Sequence, residues 1–248
     1  MSRIVLTAAS RVGCVRSNNE DMVLAYDKLV RSDAYRTEFM TENNERFVIA
    51  LADGMGGHRA GEVASEQALN SLKFFINDIP RGMETGEFEE TMMEWLDFIN
   101  DTINRQGHSD PTLLEMGTTL VGVIYYGGKY FWMNCGDSRL YRLRDGKLTQ
   151  LTTDHSLSNV KGEKKHSNII TNCIGAGCKD SYLDMYEFSA DFKSGDTYML
   201  CSDGLNDMVS FEDIEKLMNE GSSANRLCEA AIEAGGFDNV SVCVFHVE

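Results

Sequence analysis

The chain has 248 residues, of which 23 are lysine or arginine and 39 are aspartate or glutamate, so its formal net charge is −16. A nucleic-acid binder would carry the opposite balance, with clustered lysines and arginines. An apolar content of 42%, with 9% aromatic residues, is enough to bury a core and excludes a largely disordered chain. No apolar run approaches the roughly 20 residues that span a bilayer.

The N-terminal apolar stretch, which ends at Leu6, is too short for a secretory signal, so we expect a cytoplasmic protein. The seven cysteines include no Cys-x-x-Cys pair, and we expect buried, reduced thiols. The length fits one large domain or two small ones. Because only two prolines occur and no low-complexity linker divides the chain, we expect a single domain over residues 1–248.

In the first half of the chain, strand-like runs at 4–8, 22–26 and 47–52 precede two predicted helices at 62–78 and 87–104. The apolar residues of both helices recur at three- and four-residue steps, which is the period of a helix buried on one side. A polar insert around 28–46 precedes the third run. We expect a surface loop there, with a partner contact as the alternative.

After Thr118 the pattern changes to four short strands at 119–126, 129–134, 139–144 and 147–151. Gly127-Gly128 and Asp145-Gly146 are two-residue hairpin signals, so we predict an antiparallel meander. Further strands are predicted at 183–188, 197–201 and 240–247, with a second helix pair at 210–219 and 224–234. Hairpin-linked strands and helix pairs together favour an α+β fold, with helices layered on antiparallel sheets, over a doubly wound parallel sheet.

Four aspartates lie at the edges of predicted strands: Asp53, Asp137, Asp203 and Asp238. Taken singly, each is an ordinary turn residue beside a glycine or asparagine. Carboxylates that meet without a cation repel one another and are costly to desolvate. Hard oxygen ligands suit Mg²⁺ or Mn²⁺, and a metal pair that shares a carboxylate serves phosphoryl displacement. The repeated pattern therefore indicates a divalent metal site.

The motifs that carry these aspartates occur in a fixed order along the chain. They are GCVRSNNED at 13–21, DGMGGH at 53–58, GTT at 117–119, GDSR at 136–139, SDGL at 202–205 and DNVSV at 238–242. In this order they resemble the motifs of the metal-dependent PP2C (PPM) protein serine/threonine phosphatases of the bacterial type. The similarity runs from about residue 3 to residue 247. One Asp-Gly motif would be weak evidence, but the ordered set is specific.

The resemblance implies a four-layer αββα sandwich of two antiparallel β-sheets flanked by helix pairs, with two tightly bound Mn²⁺ or Mg²⁺ ions in a cleft at one end of the sheets. It makes Asp53 the bridging ligand and gives the Gly54 carbonyl to one metal. It gives Asp203 and Asp238 to the other metal. The remaining metal-site residues, expected to act mainly through bound waters, are Glu20 and Asp21.

Asp137 and Asp207 match the ligands of a third, more weakly bound ion in bacterial relatives. The alternative is that Asp137 stabilises a turn and Asp207 caps the helix that follows. Arg16 matches the arginine that grips the substrate phosphate, for which a planar guanidinium is well suited. His58 would suit a general acid that protonates the leaving oxygen. Animal relatives carry that histidine where this chain has Met55, so a surface role or a role behind the ligands stays open.

The implied activity is hydrolysis of phosphoserine and phosphothreonine by direct attack of a metal-bridging hydroxide, without a phosphoenzyme. The expected partners are phosphorylated proteins and a cognate serine/threonine kinase, with no nucleic acid and no membrane, and we expect a monomer. Two alternatives stay open: a catalytically silent phosphoprotein-binding module and a small-molecule phosphoesterase. Bacterial relatives usually carry a helical flap where this chain has a shortened segment around 156–168, so substrate specificity does not follow from the resemblance.

Overall fold

The computed structural model describes residues 2–41, 46–56, 60–161 and 169–248. The predicted catalytic residue His58 lies outside the described residues, as does the part of the predicted shortened flap at 162–168. The eight predicted metal-site residues all lie inside them.

The described residues form strands and α-helices that are numbered here in chain order. The strands are β1 (Arg3–Arg11), β2 (Met22–Ala25), β3 (Lys28–Val30), β4 (Ala34–Met40), β5 (Phe47–Ala52), β6 (Gly54–Met55), β7 (Gly117–Thr118), β8 (Leu120–Tyr126), β9 (Lys129–Cys135), β10 (Arg139–Arg144), β11 (Lys147–Gln150), β12 (Ile174–Gly175), β13 (Asp184–Glu187), β14 (Thr197–Cys201) and β15 (Val240–Val247). The helices are α1 (Ala60–Asp78), α2 (Thr85–Ser109), α3 (Leu157–Lys161), α4 (Asp203–Asn206), α5 (Phe211–Asn219) and α6 (Ala224–Glu233).

Two six-stranded antiparallel sheets make up the centre of the molecule. One has the order β11-β10-β14-β15-β1-β4 and the other the order β13-β9-β8-β5-β2-β3. The chain ends meet in the first sheet, where β1 and β15 pair from Ile4–Val247 to Arg11–Val240. A small sheet, β12-β7-β6, lies beside the second one. Antiparallel pairing throughout confirms the predicted sheet type.

Three layers of buried side chains hold these elements together. The two sheets face each other across a core that includes Leu6, Ile49 and Phe245. Helices α1 and α2 cover the outer face of the second sheet, with Leu72 among the buried residues. Helices α5 and α6 cover the first sheet through residues such as Leu227. The predicted αββα sandwich is therefore confirmed. None of the helices in the described part of the chain is both long and apolar enough to cross a membrane.

The expectation of a surface loop in the polar insert is wrong for residues 28–30 and 34–40, which are β3 and β4. Strand β4 is an edge strand paired with β1. Its side chains alternate between exposed and partly buried, and Phe39 stacks on Tyr26 with ring centroids 4.0 Å apart. An edge strand with one solvent face carries polar residues at every second position, so its overall polarity suggested a loop.

The prediction of one four-stranded meander is also wrong. Strands β8 and β9 form a hairpin in one sheet, and β10 and β11 form a hairpin in the other. The chain crosses between the sheets at Gly136, whose φ of +125° favours glycine. Both hairpins fit the same alternating pattern, which does not tell which sheet a strand joins. The crossover carries Asp137 to the end of the sandwich.

Candidate metal centre

The loop after β5 is fixed through the backbone of Asp53. The Thr118 hydroxyl and the Thr119 N–H both donate to the Asp53 carbonyl at 2.9 Å. In return, the Asp53 N–H donates to Thr119 Oγ1 at 3.0 Å. These bonds hold the Asp53 backbone at the end of a fully buried strand, which is a rigid support for a carboxylate.

Gly54 brings the first motif and the start of α1 against this loop. A Cβ at Gly54 would lie 2.2 Å from the Gly61 carbonyl oxygen and 2.5 Å from the Glu20 carbonyl oxygen. The Ser65 hydroxyl donates to that same Glu20 carbonyl at 2.6 Å. Only glycine permits so close an approach, so the sequence Asp53-Gly54 places both the Glu20 loop and α1 beside the Asp53 carboxylate.

The Asp203 and Asp238 loops meet in the same way. A Cβ at Gly204 would lie 1.9 Å from the Asn239 carbonyl oxygen. The buried Asn239 amide group donates to the Val12 carbonyl at 3.0 Å and to the Asn18 carbonyl at 2.8 Å. It therefore ties the start of β15 to the first motif, while Gly204 packs α4 onto that junction.

A buried polar network supports Asp21 from behind. The Ser202 hydroxyl donates to Asp21 Oδ2 at 2.8 Å and accepts from the Ser241 N–H at 3.0 Å. The Ser241 hydroxyl continues the network to Ser10 at 2.7 Å, and the Asn19 amide group also donates to Ser10 Oγ at 2.7 Å. The other oxygen of Asp21, Oδ1, is buried and accepts no hydrogen bond from the part of the chain that the structure describes.

Asp137 is also buried, and its Oδ1 has no hydrogen-bond partner among the described residues. The turn that carries it is held by His155, whose Nδ1 accepts from the Gly136 N–H at 3.1 Å and from the Asn172 amide group at 2.8 Å. The other ring nitrogen of His155 contacts Asp184 at 3.0 Å. Because Nδ1 accepts two hydrogen bonds, the proton of the neutral ring belongs on Nε2, facing Asp184.

The electrostatics show that these carboxylates converge. Burial raises the pKa of Asp53 well above its usual value, and the charges of Asp21, Asp203, Asp137 and Asp238 raise it further. Burial is the main cause that raises the pKa of Asp21 to about 7, and repulsion from Asp203 adds to it. The hydrogen bond from Ser202 has the opposite effect and lowers the pKa. The same two causes raise the pKa of Asp137 to about 7. Burial is also the main reason that the pKa of Asp203 is raised to about 6.

Three further predicted residues line the rim of this cluster. Arg16 Nη2 lies 2.6 Å from Asp238 Oδ2, with 55% of the Arg16 side chain exposed. Burial raises the pKa of Glu20, and the charge of Arg16 opposes that shift. Asp207 is exposed at the end of α4, where its N–H donates to the Asp203 carbonyl at 2.8 Å. The helix-capping alternative for Asp207 is wrong, because the side chain of Ser210 caps α5.

The donor set fits divalent cations. Desolvated carboxylates with raised pKa values and two orphaned oxygens are costly to keep together unless positive charge joins them. Within the described residues, no three His, Cys, Asp or Glu side chains already surround a common point. The carboxylates instead come from separate elements of the chain. Carboxylate, carbonyl and water oxygens are the ligands that Mg²⁺ and Mn²⁺ prefer.

Comparison with known families gives a match to Protein phosphatase 2C over residues 25–232. The chain belongs to the protein phosphatase 2C family. It is 35% identical over 261 residues to the serine/threonine protein phosphatase PstP of Mycobacterium tuberculosis, covering 100% of this chain and 46% of PstP. The chain thus spans about half the length of that curated relative. It is 33% identical to the protein phosphatase PhpP of Streptococcus pneumoniae, covering 94% of this chain and 93% of PhpP.

Solved structures of PP2C phosphatases share the fold. The S. agalactiae serine/threonine phosphatase superposes with a TM-score of 0.82 at 30% identity, covering 99% of this chain and 100% of that one. The catalytic domain of PstP in complex with two manganese ions superposes with a TM-score of 0.75 at 35% identity, covering 100% and 99%. The PP2C membership suggested by the ordered motifs is therefore confirmed.

The sequence pattern does not identify the residues that hold the PP2C motifs together. Ser10 in β1 and Ser241 in β15 are fully buried serines, and Asn239 is a buried amide between two loops. The signal was available in part, because a polar residue inside an apolar strand run needs a buried partner. The partners are far apart in sequence, so the pattern could not name them.

Proposed function

We propose that this chain is a Mn²⁺- or Mg²⁺-dependent protein phosphatase that hydrolyses phosphoserine and phosphothreonine. The observation that carries the proposal is the environment of Asp53. Desolvation, followed by the charges of four other aspartates from separate segments of the chain, raises the pKa of this half-buried side chain. A fold that concentrates negative charge in this way is suited to cations, and through them to an anionic phosphate ester.

In this proposal Asp53 and the Gly54 carbonyl would hold one cation, and Asp53 would help Asp203 and Asp238 to hold a second. Glu20 and Asp21 would act mainly through water, and their oxygens would complete the donor set. Bound divalent cations would supply the positive charge that the phosphate needs and activate water for attack on phosphorus. The buried serines around Asp21 keep that carboxylate oriented toward the cleft.

Arg16 is proposed to bind the phosphate of the substrate. Its guanidinium reaches the cleft edge through the contact with Asp238, and more than half of the side chain is exposed. A planar guanidinium can donate to two phosphate oxygens at once while it keeps its charge. Asp238 thus holds the arginine at the rim, where it meets an incoming phosphate and orients it toward the carboxylates. His58 stays the candidate for protonating the leaving serine or threonine oxygen.

Asp137 and Asp207 are proposed to serve a third, more weakly bound ion. The unpartnered Oδ1 of Asp137 and the charge of Asp207 near Asp203 support this position. An ion with few protein ligands keeps several waters and exchanges readily. Asp137→Ala should therefore retain two tight metal sites in Mn²⁺ calorimetry but lose most turnover of phosphopeptides. Wild-type turnover, or loss of both tight sites, would reject the assignment.

Phosphorylated proteins and a cognate serine/threonine kinase are the proposed partners of a monomeric, cytoplasmic enzyme. All seven cysteines lie in the described residues without a disulfide, which agrees with a reducing compartment. A silent phosphoprotein-binding module is less favoured, because it has no need of five converging carboxylates. A small-molecule phosphoesterase could use the same centre. PstP, PhpP and the S. agalactiae relative are each named as phosphatases of proteins or of serine and threonine, which favours the protein substrate.

The test measures turnover of a phosphothreonine peptide, an aryl phosphate and a sugar phosphate, with Mn²⁺ and with EDTA. We expect hydrolysis that requires the metal and favours the peptide over the sugar phosphate. Asp203→Asn should lower turnover by about two orders of magnitude or more, because a metal ligand is lost. The matched control is Asp180→Asn, an exposed aspartate outside the cluster.

Full activity after removal of metal would overturn the proposed chemistry. Tight binding of the phosphopeptide without turnover would favour the silent module. Turnover of the sugar phosphate at the same rate as the peptide would favour the small-molecule enzyme. Asp180→Asn should behave as the wild type in each assay, which separates loss of a ligand from loss of one surface charge.

A further inference from the structure

A long groove runs between α1 and α2 on the outer surface of the sandwich, away from the sheet that these helices cover. Its larger part has a volume of about 750 Å³ and is lined by residues that include Phe74, Phe75, Trp95 and Phe98. A second part of about 520 Å³ shares Phe98 and continues toward the start of α1 at Val63. We call the two parts together the α1–α2 groove.

The α1–α2 groove exposes large aromatic side chains. Phe74 is 70% exposed and Phe98 is 61% exposed, one from each helix. Between them the floor is ordered, because the buried Trp95 donates its indole N–H to Ser71 Oγ at 3.0 Å and its ring lies 6.2 Å from that of Phe75. Isolated apolar residues on a surface are common, but two phenylalanines that flank a shaped apolar floor indicate an interaction site.

The charged side chains that line the α1–α2 groove are acidic. Glu66, Asp78 and Glu94 line it, and neither lysine nor arginine is among the lining residues of its two parts. The nearby Lys73 is bound to the Asp27 carbonyl. Two arginines meet the edge of the groove: Arg31 Nη1 lies 3.5 Å from Glu66 Oε2, and the Arg46 guanidinium donates to the Ile79 carbonyl just beyond α1. The lining itself combines an apolar floor with acidic walls.

This combination discriminates between possible occupants. A second copy of the chain would bring a net charge of −16 and the same acidic helix pair, so like charges would oppose its docking. A partner with lysines or arginines beside its apolar anchors would pair its charges with Glu66, Asp78 and Glu94 instead. From Val63 to Asp78, α1 extends for about 23 Å at 1.5 Å per residue, enough for four turns of a second helix. A groove of this kind binds an amphipathic helix through apolar side chains spaced three and four residues apart.

We infer that the α1–α2 groove binds a basic amphipathic helical segment of a partner protein. Apolar side chains of that segment fill the space between Phe74 and Phe98, and its lysines or arginines face the acidic walls. The two aromatic anchors supply most of the affinity, since central aromatic residues dominate such interfaces. The acidic walls supply selectivity and fast association.

The groove also has a fixed relation to the carboxylate cluster. Helix α1 begins at Ala60, and its second residue, Gly61, packs against Gly54 beside Asp53. A protein docked along α1 is therefore held on the same element that borders the cleft. Only this consequence rests on the proposed function: a phosphoprotein with such a segment would have a raised effective concentration at the cleft.

The test uses a fluorescent 18-residue helical peptide with leucine and phenylalanine along one face and lysine on the flanks. Its binding is measured by anisotropy, without metal and without any turnover, so failure of the proposed enzyme activity does not affect it. The double variant Phe74→Ser/Phe98→Ser should weaken binding by about tenfold or more, because both aromatic anchors are lost. The triple variant Glu66→Gln/Asp78→Asn/Glu94→Gln should weaken binding about tenfold and reduce its salt dependence.

Matched controls separate this site from general attraction to an acidic protein. Tyr186→Ser removes an exposed aromatic ring from β13, in the sheet but away from the helix pair. A triple variant that neutralises Asp180, Glu212 and Glu220 removes the same charge from other surfaces. Both should bind the peptide within about twofold of the wild type, since neither alters the groove. A peptide with glutamate in place of lysine should show no measurable binding.

Several results would overturn the inference. If the groove triple variant and the control triple variant lose the same amount of peptide affinity, the peptide binds by non-specific charge attraction. If the Phe74→Ser/Phe98→Ser variant binds the peptide with unchanged affinity and has an unaltered melting temperature, the two phenylalanines do not anchor the peptide. Concentration-dependent dimerisation in sedimentation that is abolished by the phenylalanine variants would instead make a second copy the occupant. If the wild type does not bind the lysine peptide at all, the proposed partner chemistry is wrong.

Discussion

At the scale of single residues, one buried hydroxyl group makes hydrogen bonds to two buried groups at once. Ser202 is fully buried and serves both the Asp21 carboxylate and the Ser241 N–H. Ser202→Ala would leave both groups without this partner. Because an unsatisfied buried group costs its desolvation energy, we expect the free energy of unfolding to fall by about 1–3 kcal/mol.

Urea denaturation with and without Mn²⁺ measures this effect. We also expect weaker Mn²⁺ binding, because Asp21 loses the hydrogen bond that orients it. Ser109→Ala is the matched control, since that hydroxyl lies on the exposed end of α2 and bonds only to the helix backbone at Arg105. Its free energy of unfolding should stay within about 0.5 kcal/mol of the wild type. A similar result for Ser202→Ala would show that the network is dispensable.

A second residue predicts how stability depends on pH. Asp196, whose side chain is 2% exposed, accepts hydrogen bonds at 2.7 and 2.6 Å from Arg144 and one at 3.0 Å from the Tyr198 hydroxyl. Burial is the largest single influence and would raise the pKa of Asp196. The hydrogen bonds from Arg144, the Lys193 N–H and Tyr198 outweigh it together, so the pKa is lowered.

A lowered pKa in the folded state means that the ionised carboxylate stabilises the fold. This contribution is present above the unfolded pKa of about 3.9 and is lost as the pH falls through the lower folded pKa. We expect Asp196→Asn to lower the free energy of unfolding by about 1–3 kcal/mol at pH 7, because Arg144 loses its charged partner. In denaturation series between pH 7 and pH 3, the gap between variant and wild type should close below about pH 4. A gap that stays constant would contradict this account.

At the scale of elements, glycines decide how closely the loops of the cleft approach. The most constrained is Gly204, where an added Cβ would lie 1.9 Å from the Asn239 carbonyl oxygen. That oxygen belongs to the backbone and cannot move without shifting the start of β15. Gly204→Ala should therefore separate α4 from β15, lower the free energy of unfolding by about 3 kcal/mol and weaken Mn²⁺ binding.

The control for this substitution is Gly86→Ala in α2. Outside its own turn of helix and its chain neighbours, none of the described atoms lies within 4 Å of a Cβ built at Gly86. Alanine there should stabilise the protein by about 0.5–1 kcal/mol, because it restricts the unfolded chain and favours the helix. Thermal unfolding and Mn²⁺ calorimetry on both variants decide the point. Equal metal affinity in Gly204→Ala and the wild type would mean that the two loops reach the cations independently.

Elements with strong periodicity could be predicted closely from the sequence. Strand β15 matches the predicted run at 240–247, and α1 and α2 extend only a few residues beyond their predicted ranges. The two hairpins were also identified, because their glycines meet a local demand for positive φ. The sequence did not predict which sheet each hairpin joins, because pairing partners such as β10 and β14 are distant in the chain. Strand β4 was missed because half of it faces solvent.

The site shows the same division. Asp53, Asp137, Asp203 and Asp238 could be named from the sequence because each lies at the edge of a predicted strand, whereas Asp21 follows only from the family resemblance. The charges of Asp21, Asp137, Asp203 and Asp238 all act on Asp53 in the structure. What the sequence could not give is the packing behind them. Asn239 joins three backbone segments and Ser202 joins two loops through single hydrogen bonds. Such contacts follow from the three-dimensional arrangement and leave no periodic trace.

At the scale of the whole molecule, the acidic balance and the cleft act in the same direction. A net charge of −16 already opposes compaction, and the carboxylate cluster adds repulsion in its least hydrated part. Cations that bind only the folded protein should offset this cost. At a free concentration 100 times the dissociation constant, one such site stabilises by about 2.7 kcal/mol. We therefore expect Mn²⁺ to raise the melting temperature of the wild type and EDTA to lower it.

The Asp53→Asn variant tests whether that stability has its origin in the cluster. Asparagine keeps the volume of Asp53 but removes a half-buried carboxyl group whose pKa is raised by desolvation and then by the charges of its neighbours. In metal-free buffer at pH 8 the variant should melt higher than the wild type, by about 2–4 °C if roughly 1 kcal/mol of repulsion is relieved. With saturating Mn²⁺ the order should reverse, because the variant lacks a shared ligand and the wild type gains the binding energy. Differential scanning calorimetry of both proteins in both buffers measures this crossing. A variant that melts lower than the wild type in both buffers would show that the Asp53 carboxyl group stabilises the fold even without metal. Charge repulsion within the carboxylate cluster would then be too weak to explain an affinity for cations.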